Sequence, residues 1–211
     1  MAGKPESAAR LQERLAGGDK DALAELFSLH RERLRRMVEL RLDRRLNGRV
    51  SASDVLQDAY LEALKRLPHY LDKPEMPVLL WLRMVTGQRL TDLHRQHLGA
   101  EMRDAGREVP LYRNAMPQAT TVSLAAQLAA GLESPSQAAI RGEALAQLEA
   151  ALDKMEPLDR EVLVLRHFEE LSNDEVAEVL GLKKAAASNR YVRALQRLRD
   201  ALAGMPGFLE S

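Results

Sequence analysis

Cysteine is absent from the 211 residues of the chain. Disulfide bridges and thiolate metal sites are therefore excluded, and the composition suits a cytoplasmic protein. The sequence also contains no apolar run long enough to cross a bilayer, and the N-terminal MAGKPESAAR lacks the apolar core of a signal peptide. We therefore expect a cytoplasmic protein that does not insert into a membrane.

An excess of charge of one sign is also missing. The 31 lysines and arginines balance the 31 aspartates and glutamates, and aromatic residues make up only 4% of the chain. Nucleic-acid binding would therefore depend on local basic patches and not on net charge. The abundance of Leu, Ala, Arg and Glu favours helices. The length allows one large domain or two small ones.

The segment 172–199, SNDEVAEVLGLKKAAASNRYVRALQRLR, predicts two helices joined by a tight turn. Ser172 and Glu175 have the spacing of a capping box, and Gly181 stands where a left-handed residue would end the first helix. The second helix begins at about Lys183 or Lys184. This pattern is typical of a helix-turn-helix whose second helix lies in the major groove of DNA.

The second helix carries no acidic residue before Asp200. Arg190 has the reach for a guanine edge, Ser188 and Asn189 can bond bases or phosphates, and the two lysines suit phosphate. The candidate contacts to duplex DNA are Lys183, Lys184, Ser188, Asn189, Arg190, Arg193 and Arg197. The alternative interpretation is an ordinary amphipathic helix with a solvated basic side.

A second patterned helix, capped by Ser51, is predicted from Ala52 to about Leu67. Spacings of three and four residues place four side chains on one stripe of this helix: Asp54, Gln57, Asp58 and Leu61. Because the stripe is acidic, it suits a basic partner surface better than DNA. An acidic first turn is also simple complementation of the helix dipole.

The segment 68–77, PHYLDKPEMP, contains three prolines and is predicted to be a loop. Another helix follows from about Val78, with a polar and mostly cationic side. Trp81, the only tryptophan, is by default a core residue, and base stacking is the rarer alternative. The candidates for single-stranded DNA contact are Tyr70, Trp81, Arg83, Gln88, Arg89 and Arg95.

The whole pattern predicts an all-α fold of two small helical domains joined by a flexible linker. Residues 1–18 form a lead-in in which a short helix at 7–15 can occur. The predicted domains are 19–98 and 134–204, the linker is 99–133, and 205–211 form a tail. Ser134 to Gln137 reads as a helix start with proline at the first helical position.

Three sequence blocks resemble those of a known family. Asp54–Ala63 (DVLQDAYLEA) and Trp81–Gln96 (WLRMVTGQRLTDLHRQ) look like region 2 of a bacterial sigma factor, and Leu158–Arg199 is similar to region 4. Two such regions separated only by a linker resemble the extracytoplasmic-function (group IV) type of RNA polymerase sigma factor.

The resemblance implies that the protein binds core RNA polymerase and directs promoter recognition, melting and transcription initiation. Asp54, Gln57 and Asp58 match the stretch that docks on the clamp helices of the β′ subunit, and the β flap is a second implied contact. The segment Trp81–Arg95 matches the one that opens and holds the downstream promoter box, and the loop 68–77 matches the one that accepts a flipped base.

The second half of the chain is implied to read the upstream box. Lys184, Ser188, Asn189, Arg190 and Arg193 match the reading helix, and the linker matches the segment threaded through the RNA-exit path. Gly, Thr and Val are common in this family at the positions of the three alanines 185–187. The difference affects the base preference that the resemblance implies, and it leaves the implied mode of docking on DNA unchanged. An anti-sigma factor is a further implied partner, whereas no cofactor, metal or catalytic residue is expected.

Three other interpretations remain open from the residues. The first is a helix-turn-helix regulator with a helical sensor domain. The second is a metal-dependent enzyme, because His94 and His97 lie three residues apart with Asp92 and Glu101 nearby. The third is an adaptor that binds only proteins.

Overall fold

A computed structural model of the chain describes residues 7–46, 48–98, 116–130 and 138–203. Every regular element in these ranges is helical, which confirms the predicted all-α class. The α-helices are α1 (Ala8–Ala16), α2 (Asp21–Arg41), α3 (Ala52–Asp72), α4 (Val78–Leu98), α5 (Thr121–Ala130), α6 (Ala138–Asp153), α7 (Pro157–Leu163), α8 (Asn173–Leu180) and α9 (Lys184–Ala203). A 3-10 turn spans Arg44–Leu46, and a π-helix spans Val164–Phe168.

The chain divides into two compact units. The first comprises Met1–Val38 and Leu42–Pro117, and the second comprises Glu39–Arg41 and Gln118–Ser211. The domain limits proposed from the sequence, 19–98 and 134–204, remain predictions, and the tail 205–211 lies outside the described residues.

The first unit has a core in which α3 packs against α4. Leu56, Ala63 and Leu67 of α3 are buried there, as is Leu82 of α4. The short helix foreseen near the N-terminus is present as α1, and both of its leucines, Leu11 and Leu15, are buried in the same core. Residues 8–16 therefore contribute to this unit and are more than a lead-in.

The proline-rich segment 68–77 is only partly a loop. Proline lacks an N–H and its ring clashes with the preceding turn, so a helix break was expected at Pro68. That expectation is wrong for residues 68–72, because α3 continues through Pro68 to Asp72. The Tyr70 hydroxyl donates to the Met76 carbonyl at 2.9 Å and its ring stacks on Trp81, contacts that oppose the roughly 3 kcal/mol penalty of an interior proline.

Gly87 has a specific packing role in the middle of α4. A Cβ at this position would overlap the side chain of Met116, which packs against the first core. Glycine lowers helix stability by about 1 kcal/mol relative to alanine. The Met116 side chain packs directly over this glycine, and its terminal methyl group would have to move to admit a Cβ.

The second unit pairs α5 with α6 and packs α9 against both α7 and α8. Its core includes Leu124, Ala125, Leu148, Leu152, Met155, Leu163, Val164, Ala194 and Leu198. The helix that carries Leu163 does not stay α-helical, because five residues of π-helix follow it. Such wider turns are uncommon and were not expected from the sequence.

Part of the predicted linker 99–133 is helical. Only its residues 116–130 are described, and ten of these form α5 with Leu124 and Ala125 buried. Apolar side chains at helical spacing in residues 123–130 predict a short helix here, and α5 confirms it. That the segment links two domains stays a prediction. The helix start foreseen at Ser134–Gln137 lies outside the described residues.

No helix in the described ranges combines the length and the apolar character that crossing a bilayer requires.

Candidate nucleic-acid interface

The helix-turn-helix is built as its sequence predicts. Ser172 Oγ accepts the Glu175 N–H at 3.2 Å, and Glu175 Oε2 accepts the Ser172 N–H at 2.7 Å, which completes the capping box. Gly181 ends α8 with φ of 63°, in the left-handed region that favours glycine. The side chain of Asn173 donates to the Lys184 carbonyl at 3.1 Å and ties the start of α8 to the start of α9.

One side of α9 is buried and holds the helix in the unit. Ala187 and Ala194 are fully buried and Leu198 nearly so, and their helical spacing makes them the apolar stripe of α9. The small alanine side chains allow close packing of α9 on α7 and α8. The opposite side of α9 is left at the surface.

We call the exposed residues Lys183, Lys184, Ser188, Asn189 and Arg193 the reading face. No acidic residue interrupts α9 before Asp200. Lys184 Nζ lies 2.6 Å from Asp174 Oδ2 of α8, and both side chains are well exposed. An exposed pair of this kind contributes at most about 1 kcal/mol, so a phosphate can displace the carboxylate.

Arg190 is partly buried, whereas Arg197 remains 47% exposed, and the two guanidinium groups share one partner. Both donate to Asp159 of α7, with Arg190 Nη1 2.9 Å from Oδ1 and Arg197 Nη1 3.1 Å from Oδ2. The hydrogen bond to Asp159 raises the pKa of Arg190, and its side chain is only 25% exposed. The expected exposure of Arg190 is therefore corrected, because its guanidinium is hydrogen-bonded within the unit, whereas its contact with a guanine stays a prediction.

Val192 was missed by the sequence reasoning. It is 57% exposed, one of three large apolar residues at the described surface to be so accessible. Its spacing of four residues from Ser188 and three from Asn189 places it beside the reading face. This spacing is the sequence feature that could have placed Val192 on the exposed side of the helix.

The second predicted DNA-binding surface lies on α4, and its residues in the first turns of that helix are mostly buried. Trp81 is 4% exposed, and its ring stacks on Tyr70 with centroids 4.3 Å apart. Burial raises the pKa of Tyr70, which is half-buried. Arg83 is also buried. The default interpretation of Trp81 as a core residue matches this placement, and neither Trp81 nor Arg83 offers its side chain to a nucleotide in this conformation.

The later residues of α4 lie closer to the surface but contact other side chains. Arg66 of α3 donates to Gln88. Arg89 Nη2 lies 2.9 Å from Asp58 Oδ2, so a predicted DNA contact is bound to a predicted polymerase contact. Arg95 is exposed, with Asp92 3.8 Å away.

The acidic stripe of α3 lies at the surface along its length. Asp54, Gln57 and Asp58 are exposed, and Leu61 is 51% exposed. Asp54 also closes the capping box with Ser51, and the Ser51 hydroxyl lowers the pKa of that carboxyl. The stripe thus combines negative charge with an apolar side chain.

The two histidines that suggested a metal site have different surroundings. His94 is buried, and its Nε2 accepts the Asp43 N–H at 3.3 Å, whereas His97 is exposed. Among the described residues there is no cluster of three or more His, Cys, Asp or Glu side chains arranged to hold a metal ion. Glu101 lies outside the described residues.

Comparison with known proteins agrees with this geometry. Residues 145–198 match the family model described as sigma-70, region 4. The chain is 29% identical over 185 residues to the ECF RNA polymerase sigma factor SigD of Mycobacterium tuberculosis, across 88% of this chain and 79% of the relative. It is 28% identical to the RNA polymerase sigma factor CnrH of Cupriavidus metallidurans, across 94% of this chain and 96% of the relative.

A solved structure shares the fold. The structure of CnrH in complex with the cytosolic domain of CnrY aligns with a TM-score of 0.51 at 22% identity, across 92% of this chain and 96% of CnrH. The chain therefore shares its all-helical fold with a known sigma factor.

The match of residues 145–198 to sigma-70 region 4 supports a role in promoter recognition and transcription initiation. Residues 145–198 thus match sigma-70 region 4, and most of the chain is similar to RNA polymerase sigma factors, among them an extracytoplasmic-function factor.

Proposed function

We propose that the reading face of α9 recognises the upstream promoter box as duplex while the acidic stripe of α3 docks on core RNA polymerase. The observation that carries the first half is the exposed, acid-free side of α9 presented by a capped helix-turn-helix. Lys183, Lys184 and Arg193 supply phosphate or guanine contacts, and Ser188 and Asn189 can bond base edges. Val192 adds an apolar side chain suited to a thymine methyl group.

Docking on polymerase is supported by the charge and exposure of α3. Asp54 and Asp58 present carboxylates to a basic surface, and Leu61 adds apolar area that binding would bury. The clamp helices of β′ are the proposed contact, with the β flap as a second contact. This division of charge explains how an electrically balanced chain binds both a protein complex and DNA.

Capture of the downstream box is proposed for the exposed end of α4. Arg95 and the partly exposed Arg89 are the candidates that the surface offers to single-stranded DNA. The stacked Tyr70 and Trp81 support the short loop 73–77, which is the proposed receptor for an unstacked base. Flipping a base costs a few kcal/mol, which contacts to that base offset.

An anti-sigma factor is a further proposed partner. CnrH, whose fold this chain shares, is known in complex with the cytosolic domain of CnrY. Leu29 and Leu61 are exposed on the first unit and offer apolar area to such a protein. The proposed role requires no reaction on this chain and places it with polymerase in the cytoplasm.

Run-off transcription with purified core polymerase and a library of genomic promoters tests the function. We expect specific transcripts only when the chain is added. A helix-turn-helix regulator would bind its own DNA site without polymerase and would not let core polymerase start at promoters. Absence of added transcripts from every promoter would contradict the proposed function.

A further inference from the structure

The carboxylate of Asp159 is a buried charge that the proposed function leaves unexplained. Asp159 is the third residue of α7, and its side chain is 1% exposed. Its two oxygens accept from Arg190 and Arg197 of α9 at 2.9 and 3.1 Å. A buried carboxylate is costly unless it is paired and hydrogen-bonded, and here both oxygens are bound by guanidinium groups.

The spacing of the two arginines gives this contact a geometric consequence. Seven residues advance a helix by about 10.5 Å, and about 20° short of two full turns. Arg190 and Arg197 therefore reach one carboxylate from points two turns apart on the same side of α9. Convergence from two levels restricts both rotation of α9 about its axis and sliding along α7.

The direction of α9 decides what it presents to DNA. Ala187 and Ala194 lie on the buried side of α9, next to the two arginines. Ser188, Asn189 and Val192 lie on its exposed side. A rotation of α9 by one residue step, about 100°, would move every side chain of the reading face away from a base edge. Base recognition needs side chains held in narrow positions.

Resting on the proposed function, we propose that Asp159 is a positioning residue for upstream-box recognition. Its carboxylate sets, through Arg190 and Arg197, the angle and height at which α9 presents the reading face. In this arrangement the two arginines hold the helix, and Arg193 is the arginine that contacts DNA. Arg190 also lies 3.2 Å from Glu156, but that carboxylate is 61% exposed and contributes little.

The test uses the full chain assembled with core polymerase and a randomised upstream box. The variant Asp159→Asn keeps the size of the side chain and removes its charge, and Glu156→Gln is the matched control. We expect Asp159→Asn to bind its promoter about tenfold or more weakly, the loss of one or two misplaced base contacts, and to alter preference at several base pairs together. Glu156→Gln should stay within about threefold of the wild type.

The two proposals fail in different ways. If the wild-type chain gives no promoter-specific transcription, the proposed function is wrong. If the wild type is active but Asp159→Asn binds promoters equally or more tightly, the arginines are DNA contacts restrained by Asp159 and the positioning role is wrong. Weaker binding with an unchanged base preference would also overturn it, because loss of folded protein alone gives that result.

A second pair of variants covers the case in which Asp159→Asn does not fold. Arg190→Gln and Arg197→Gln should weaken promoter binding while leaving its dependence on salt unchanged. A lost phosphate contact would instead reduce the slope of log K against log salt by about 0.9. A reduced slope in both variants would contradict the positioning role.

Discussion

The surface formed by α3 and α4 differs from the exposed side of α9 in how many of its charged side chains already have partners within the protein. On α4, Trp81 and Arg83 are buried and Arg89 is bound to Asp58, so much of the predicted DNA surface is already engaged within the unit. On α9, Lys184 and Arg193 are exposed, as are Ser188 and Asn189. A sequence can therefore show that a helix is cationic, but the partners of each charged side chain in the fold decide whether that side chain is available to DNA.

The largest effect should come from reversing the acidic stripe of α3. Asp54→Arg with Asp58→Arg presents two cations to the proposed basic surface of polymerase, and we expect co-purification with core enzyme to be abolished. Asp54 also closes a capping box, whose loss costs about 1 kcal/mol of stability. Ser51→Ala is therefore the control, since it removes the cap hydroxyl without changing the charge of the stripe. Retained polymerase binding by the double variant would refute the docking surface.

Removing the buried ring of α4 should have the next largest effect. Trp81→Ala deletes a core side chain stacked on Tyr70, and losses of this kind cost about 3–5 kcal/mol. Urea unfolding of the full chain, followed by circular dichroism, measures the change. Trp81→Phe keeps an aromatic ring and should lose less. A stable Trp81→Ala chain that fails only in promoter opening would show that the ring serves DNA and not the core.

The exposed side of α9 offers a smaller and more selective effect. Arg193→Ala should weaken upstream-box recognition by about 1–3 kcal/mol and relax the preference at one base pair if the contact is to a base. Arg199→Ala removes an exposed cation further along the same helix and is the matched control. Equal losses in both variants would indicate a general charge effect and not a reading position.

The smallest expected effect is a dependence of the first unit on pH. Burial lowers the pKa of His94, partly opposed by Asp43 and reinforced by Arg45, and its Nε2 must be unprotonated to accept the Asp43 N–H. The folded chain thus favours neutral imidazole. The resulting stability is present above the unfolded pKa of about 6.5 and is lost as the pH falls through the folded pKa.

Urea unfolding between pH 7.5 and pH 5 detects this dependence. His94→Gln should flatten it, whereas His97→Gln, at an exposed position, should not. An identical slope in the wild type and His94→Gln would remove His94 as its source.

Local patterns were the part of the fold that the sequence could predict. The capping box at Ser172, the left-handed Gly181 and the apolar stripe of α9 depend on residues within a few positions of one another. The continuation of α3 through Pro68 could not be foreseen in this way, because the contacts of Tyr70 with Trp81 and Met76 join separate segments.

The same limit applies to the candidate interface. Exposure of Ser188, Asn189 and Arg193 follows from helical spacing, whereas the inward direction of Arg190 depends on Asp159, thirty-one residues earlier. An acidic residue just after a helix-starting proline reads as dipole complementation, so nothing local marked Asp159 as a partner. Whether each candidate residue contacts DNA or polymerase remains a prediction.

The packing of Met116 against Gly87 determines where a fragment that contains only the first unit should end. A fragment ended at Leu98, where α4 stops, would lack Met116 and leave an uncovered hollow on the middle of that helix. Extending the fragment to Pro117 would retain the Met116 side chain that covers this hollow. The first unit should therefore be excised well past its last long helix if its native packing is to survive.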